Sequence, residues 1–287
     1  MRRIGLLCLL FLLLLPTPVA AAALAPKNKG LFLTPVREYI AVNAGQSTAR
    51  AFTIANITEV PARVVLSVEQ FAVEDFTYDY MFKPSKKDWV KLSSTEVQLQ
   101  PNKSQQVSYT VNVPKGAAPG GYYFTIFATE TLGTRKVRVG EALYVTVNGE
   151  LRLTSHIQKA TISSVSFGGD IHYEFDAKST GNVHFMTYVS GRLKGFIVDI
   201  TGEEKVHILL PGTVRTLSGT IPPPLFPGIY HVAFGYRVDD GQQITSTAYI
   251  AYFPQWFLVL LAGFVLLGAT LWYRRRRLLI HKNVTDF

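Results

Sequence analysis

Six histidines (His156, His172, His184, His207, His231 and His281) and three carboxylate groups could do chemistry in this chain. The carboxylates are Glu74-Asp75 with Asp79, Glu203-Glu204, and Asp239-Asp240. Their spacing matches no catalytic pattern: there is no G-x-S-x-G, H-E-x-x-H, P-loop or G-x-G-x-x-G. His172 and His231 fall on the polar faces of alternating runs, where a solvated imidazole is the ordinary outcome. A site assembled in space from His184, His207 and His231 stays open as the enzymatic alternative. Asp75-x-x-x-Asp79 lacks the glycine and the oxygen density of a calcium loop. The lone cysteine, Cys8, lies in an N-terminal apolar run, so thiol catalysis, disulfides and cysteine-type zinc sites are not expected. No cofactor and no metal are expected.

The stretch from Phe71 to Trp89 is the most unusual in the chain. Tyr78, Tyr80, Phe82 and Trp89 are interleaved with Asp75, Asp79, Lys83, Lys86 and Lys87. It is longer than a hairpin turn, and long loops on a rigid scaffold often carry binding. Ring faces beside charges suit stacking on sugars and pairing with peptide carboxylates, which is the chemistry of peptidoglycan. Those four rings are therefore the candidate ligand-binding residues, against the alternative that they cap the open end of a sandwich. A second binding mode needs no pocket: an unpaired edge strand can accept a partner strand through backbone hydrogen bonds.

The elements that must hold these residues are strands. Gln106–Val113, Asp170–Ala177 and Tyr230–Val238 alternate apolar and polar residues with period two, the mark of a strand with one buried face. Asp239-Asp240-Gly241 reads as a hairpin turn into a further run ending at Tyr252. Tyr122–Phe127 is apolar at nearly every position, as in a central strand covered on both faces. Gly and Pro turns separate these runs and no helical period interrupts them, which points to two tandem immunoglobulin-like β-sandwiches, 26–149 and 150–253.

Both ends of the chain differ from this middle. Arg2-Arg3, an apolar run from Ile4 to Leu15 and the small residues up to Ala25 make a secretory signal peptide at 1–25. Trp256–Tyr273 carries no charge over 18 residues, about 27 Å as a helix at ~1.5 Å per residue. With its flanks that spans a bilayer, so 254–273 is read as a transmembrane helix. Arg274, Arg275, Arg276 and Arg277 follow at once and assign 274–287 to the cytoplasm. The whole chain has 29 basic and 20 acidic residues, a net charge of +9. Removing the two ends leaves +3, so the basicity marks topology and gives no support to a nucleic-acid groove.

The ectodomain resembles the WxL-interacting proteins of bacterial surfaces. In the first domain the match runs through Leu33-Thr34-Pro35, Ala44-Gly45, Asn56 with Pro61, Trp89, Leu99 with Pro101, Val113-Pro114 and Ala117–Tyr123. In the second it is Gly181-Asn182-Val183, Leu210-Pro211-Gly212 with Arg215, and Gly228-Ile229-Tyr230. The resemblance implies a first domain associated with peptidoglycan and a second that engages WxL proteins or host surfaces. The second domain here is short for the family. Pro119-Gly120-Gly121 and Gly181-Asn182 also have a plain reading as tight turns. Tandem sandwiches resemble periplasmic pilus chaperones as well, although those are soluble.

These readings converge on a non-enzymatic, single-pass protein of the bacterial plasma membrane, with its ectodomain outside. Its expected partners are cell-wall peptidoglycan or surface proteins such as those of WxL type, and not nucleic acid. The alternatives are an envelope enzyme and an edge-strand assembly chaperone.

Overall fold

The computed structural model describes residues 30–132 and 135–282. The signal-peptide reading falls outside the described residues. Among the described residues, nineteen strands form two sandwiches joined in tandem, and one helix follows at the C-terminal end. In the first sandwich, β1 (Leu31–Thr34), β3 (Ser47–Asn56), β8 (Ser104–Asn112) and β6 (Val90–Leu92) make one sheet, in that order. The facing sheet runs β2 (Arg37–Val42), β10 (Arg135–Val147), β9 (Gly120–Leu132), β4 (Ala62–Val73), β5 (Tyr80–Pro84), with β7 (Glu96–Leu99) also on β4.

The second sandwich repeats this plan. Its smaller sheet is β11 (Ser155–Ile162), β13 (Ile171–Ser179) and β17 (Val214–Ile221). The larger is β12 (Val165–Ser166), β19 (Gln243–Tyr252), β18 (Gly228–Val238), β14 (Phe185–Lys194) and β15 (Asp199–Thr201), with β16 (Lys205–Leu209) also on β14. In both units the chain starts in the smaller sheet, then crosses to lie parallel to the last strand of the larger one. Thus β2 pairs parallel with β10, and β12 pairs parallel with β19.

Alternation in sequence becomes burial in layers. On β8 the inward set is Val107, Tyr109 and Val111, which faces Phe124, Ile126, Leu143 and Val145 of the opposite sheet. Each such side chain removed from water contributes about 1.5–3 kcal/mol. The predicted central strand is β9, paired by β10 on one side and β4 on the other. The predicted hairpin joins β18 to β19. Asn56, buried inside the first sandwich, holds three carbonyls: its Nδ2–H groups reach Val60 O at 2.8 Å, Gln100 O at 3.3 Å and Leu99 O at 3.4 Å. That explains an asparagine beside Pro61 without any ligand.

The helix, α1 (Gln255–Lys282), starts directly after Pro254 and continues through the arginines. Its stretch Gln255–Arg275 has a mean hydropathy of 2.0 and none of it is buried against the protein. A core helix would be covered; this one is apolar and bare.

Candidate functional site

The four candidate rings occupy different environments. Trp89 is buried in the first core, with its ring centroid 4.4 Å from Tyr122 and 6.0 Å from Phe124. Lys87 Nζ lies 5.3 Å from both the Trp89 and Tyr122 rings. Tyr78 is buried in the second core, having crossed from one domain to the other. Its hydroxyl accepts the Leu210 N–H at 2.5 Å and lies 3.0 Å from Thr213 Oγ1. The Arg215 guanidinium sits over its ring at 4.3 Å. Neither Trp89 nor Tyr78 presents a free face. Tyr80 and Phe82 are partly exposed on the outer face of the larger sheet, stacked on each other at 6.0 Å. The Tyr80 hydroxyl lies 3.1 Å from that of Tyr144, and Phe82 packs edge-on to Phe127 at 4.9 Å.

The excursion that carries these rings is a clamp between the domains. Phe76 adds to the edge of β17, with Phe76 N–H to Val214 O at 2.8 Å and Thr216 N–H to Phe76 O at 3.3 Å. Asp75 Oδ1 accepts the Val214 N–H at 2.7 Å. Phe76 and Tyr78 both have positive φ, 70° and 66°, a strained conformation for aromatic residues that this crossing holds in place. The string Gly181-Asn182 completes the junction, rather than serving only as a turn. Asn182 Nδ2–H groups reach Glu150 O at 2.9 Å and Pro119 O at 3.2 Å, and its Oδ1 accepts the Arg152 N–H at 2.8 Å. Gly121 N–H donates to Asn182 O at 2.8 Å. Gly120 has φ +142°, and a Cβ there would stand 2.6 Å from Asn182 O, so only glycine fits.

Between the domains His184 enters a nest of tyrosines. Its ring lies 5.1 Å from Tyr144, 5.6 Å from Tyr123 and 5.7 Å from Tyr39. Burial lowers its pKa from 6.5 to about 4, with the charge of Asp239 opposing the shift. The imidazole is therefore neutral and acts as packing. The enzymatic alternative needed His184, His207 and His231 together. On β14, His207 is opposite Thr187 and His231 is opposite Lys194. Seven residues of strand separate those positions, about 23 Å at ~3.3 Å per residue, so the three do not share a site. Among the described residues, no three His, Cys, Asp or Glu side chains gather where a metal could bind.

What remains is an edge. β10 pairs with β9 along its whole length, Arg135 to Val147, but β2 covers only Ala142 to Val147. Among the described residues nothing pairs with the outer side of Arg135–Glu141. Ala142 N–H donates to Val36 O at 2.9 Å, so its backbone points to that side. By the two-residue repeat of a strand, the N–H and C=O of Gly140, Arg138 and Lys136 point the same way. Beside this edge lies a mostly apolar groove of about 300 Å³, lined by Val36, Arg37, Tyr80, Phe82, Phe127 and Gly140 among others. A Cβ at Gly140 would stand 2.9 Å from both Phe127 Cε1 and Thr125 Cγ2, so a side chain there would have to push the groove's own residues aside. Arg138 caps the groove, ion-paired to Glu69 with its guanidinium 3.3 Å above the Phe127 ring. At the inner end of the edge, Glu141 is fully buried and neither carboxyl oxygen finds a hydrogen-bond partner. Sequence reasoning named Tyr80 and Phe82 on this surface and missed β10. The lone charge at Glu141, in an otherwise apolar inward set, was the signal available.

No protein-family model and no curated protein matches the chain. Solved structures do. The CupB2 chaperone of Pseudomonas aeruginosa is 10% identical over 77% of this chain and 100% of its own, with a TM-score of 0.40. The CsuC–CsuE chaperone–tip adhesion subunit complex of Acinetobacter baumannii gives 11%, 77%, 98% and 0.40. The class 5 fimbriae chaperone CfaA gives 9%, 77%, 99% and 0.43.

One expectation is corrected here. The ectodomain was expected to be a membrane-anchored scaffold for peptidoglycan or surface proteins. Among the solved structures it is similar to are chaperones of pili and fimbriae, one of them in complex with a tip adhesion subunit. The physical reason lies in the rings: Trp89 and Tyr78, half of the expected ligand platform, are spent on the first core and on the domain junction.

Proposed function

We propose that this protein is an assembly chaperone that holds a partner polypeptide by strand addition to the free edge of β10, with α1 as a membrane tether. The open edge at Arg135–Glu141, bordered by an apolar groove, is the observation that carries this reading. An exposed sheet edge presents unpaired N–H and C=O groups and is a template for pairing. Backbone bonds to Lys136, Arg138 and Gly140 supply affinity without sequence preference. Every second side chain of the added strand faces the groove and meets Val36, Phe82 and Phe127, which selects apolar residues at alternate positions. The partner is therefore an extended segment of alternating apolar character, as in a subunit that lacks a strand of its own.

The tether belongs to the same proposal. Gln255–Arg275 is long enough to cross a bilayer, about 31 Å at ~1.5 Å per residue. Arg274 to Arg277 orient it with the C-terminus in the cytoplasm of a bacterial cell and the sandwiches outside. Kinship with the WxL-interacting proteins is also proposed, on the strings matched in both domains.

Arg138→Pro tests the edge. Proline removes the N–H that faces the open side and is tolerated on edge strands, so the fold survives while strand addition is blocked. A photoreactive side chain at Lys136 in the full chain should crosslink one defined partner peptide in the native membrane. The Arg138→Pro variant should lose that adduct. Adducts at Lys136 that are no more frequent than at Lys103, or that persist unchanged in Arg138→Pro, refute the proposal.

A further inference from the structure

The end of the second sandwich from which α1 departs is built unlike the rest of the ectodomain surface. Three loops meet there: 167–170 between β12 and β13, 195–198 between β14 and β15, and 222–227 between β17 and β18. Register puts them together, because Val165 pairs with Ala251, Lys194 with His231 and Gly228 with Tyr252. Their tips are Phe167, Phe196, Ile197, Leu225 and Phe226, all exposed, with Phe196 entirely in solvent. The segments Gly195–Val198 and Pro222–Pro227 contain no charged or hydrogen-bonding side chain. Apolar tips clustered in this way mark an interaction surface.

These loops are fixed at the level of the helix's first turn. Trp256 Nε1–H donates to Leu225 O at 3.0 Å. Phe167 stacks on Phe253 at 5.8 Å, and Phe253 on Phe257 at 6.3 Å, so one run of rings leads from the loop into the helix. Gly168, at φ +76°, lies so close to Gln255 that a Cβ would meet its Cγ at 2.7 Å. Three consecutive prolines, Pro222 to Pro224, stiffen the approach to Leu225. Tyr230 braces two of the loops: its hydroxyl donates to Phe226 O at 2.8 Å, and its ring leaves no room for a Cβ at Gly195. Charges return only at the loop bases, with Asp170, Lys194 and Asp199.

We propose that this end of the second sandwich is a lipid-contacting face, its three loop tips seated in the outer interface of the bilayer that α1 crosses. The inference rests on the membrane-spanning reading of α1 and adds that the ectodomain sits on the membrane instead of swinging above it. A surface whose tips are level with the start of an apolar span meets the headgroup region as soon as that span is inserted. Trp, Phe and Leu side chains on an interfacial face seat about 5–10 Å into the headgroup–acyl boundary, and Trp256 at the start of α1 is of the type enriched at that level. Consequently the free edge of β10 is held at a fixed orientation above the outer leaflet.

The test uses the full chain in phospholipid vesicles. Cys8→Ser removes the only cysteine, and an environment-sensitive fluorophore is placed singly at Phe196→Cys, Leu225→Cys, Leu261→Cys in α1, or Lys103→Cys on the first sandwich. Quenching is read with lipids carrying a spin label near the headgroup. Labels at 196 and 225 should be quenched several-fold more than the label at 103, and a further Ile197→Asp substitution should reduce quenching at 196. Quenching at 261 with none at 196 and 225 overturns the lipid-contacting face and leaves the span intact. No quenching at 261 overturns the span itself, and the face with it. Labels at 196 and 225 that are shielded from water yet indifferent to the lipid quencher mean that protein covers the tips, which also overturns the proposal.

Discussion

Glu141 offers a direct measure of how the open edge of β10 is built. Its carboxyl is fully buried without a hydrogen-bond partner. Burial first, and then the charge of Glu38 on β2, raise its pKa from 4.5 to about 8. Two other groups complete its electrostatic surroundings. Arg50 on β3 pairs with Glu38 at 3.4 Å, and Tyr109 on β8 has its own hydroxyl pushed up by burial and by the charge of Glu141. The folded pKa lies above the unfolded one, so the folded state binds the proton more tightly. Stability is complete below the unfolded pKa and is lost as pH rises toward the folded value near 8. At about 1.36 kcal/mol per tenfold change in proton affinity, the displacement corresponds to on the order of 5 kcal/mol at most. Relaxation around the ionised carboxylate lowers the effective penalty of burying a charge, leaving about 2–3 kcal/mol as the expected loss between pH 5 and 8.5. Glu141→Gln keeps the shape and removes the charge. It should be near neutral at pH 5 and stabilise the first sandwich by about 2–3 kcal/mol at pH 8.5. Trp89 reports that sandwich alone once Trp256→Phe and Trp272→Phe remove the other two indoles. Denaturant unfolding of the full chain in detergent, followed by Trp89 emission, gives the number. An unfolding midpoint that stays constant across this pH range, or a Glu141→Gln variant with the parent's pH slope, refutes the reasoning.

Two further outcomes concern the junction. Tyr78→Phe keeps the ring but strips the Leu210 N–H of its acceptor inside the second core. The cost should be about 1–3 kcal/mol, read as a lower midpoint for the second sandwich in calorimetry; an unchanged midpoint would mean that water replaces the hydroxyl. His184 has its pKa lowered to about 4 by burial, so its contribution is intact above pH 6.5 and is lost as pH falls toward 4. Small-angle scattering of the full chain in detergent should show the domains separating over that range, and His184→Phe should abolish the change.

The layers of this fold were legible because burial on one face imposes a period of two, and β8, β13 and β18 display it without interruption. The junction was not. Tyr78 reads as a loop aromatic among charges, and nothing in its neighbours states that its hydroxyl ends against Leu210, 132 positions away. Pro119-Gly120-Gly121 and Gly181-Asn182 carry the composition of ordinary turns. Their second use, closing one domain on the other, depends on Gly120 meeting Asn182 across 62 residues of chain. Local chemistry is visible in a sequence, whereas the partner of a turn is not.

A free edge is harder still to read, because it is defined by what does not stand beside it. β10 from Arg135 to Glu141 alternates Lys and Arg with Val and looks like any half-buried strand. It becomes a site only because the chain enters the larger sheet at Arg37, opposite Ala142, and leaves the remainder of β10 without a neighbour. The second sandwich repeats the arrangement: β12 covers only Ala251 and Tyr252 of β19. There, however, the outward residues of β19 are Gln243, Thr245, Thr247 and Tyr249, and the pocket that Gln243 and Thr245 line is walled by Ser190, Arg192, Glu204 and Arg237, where that beside β10 is mostly apolar. Two edges of the same origin thus differ in what they can hold. Backbone geometry makes both available, and the rings that Phe82 and Phe127 set beside β10 make that edge the one suited to a partner with apolar side chains.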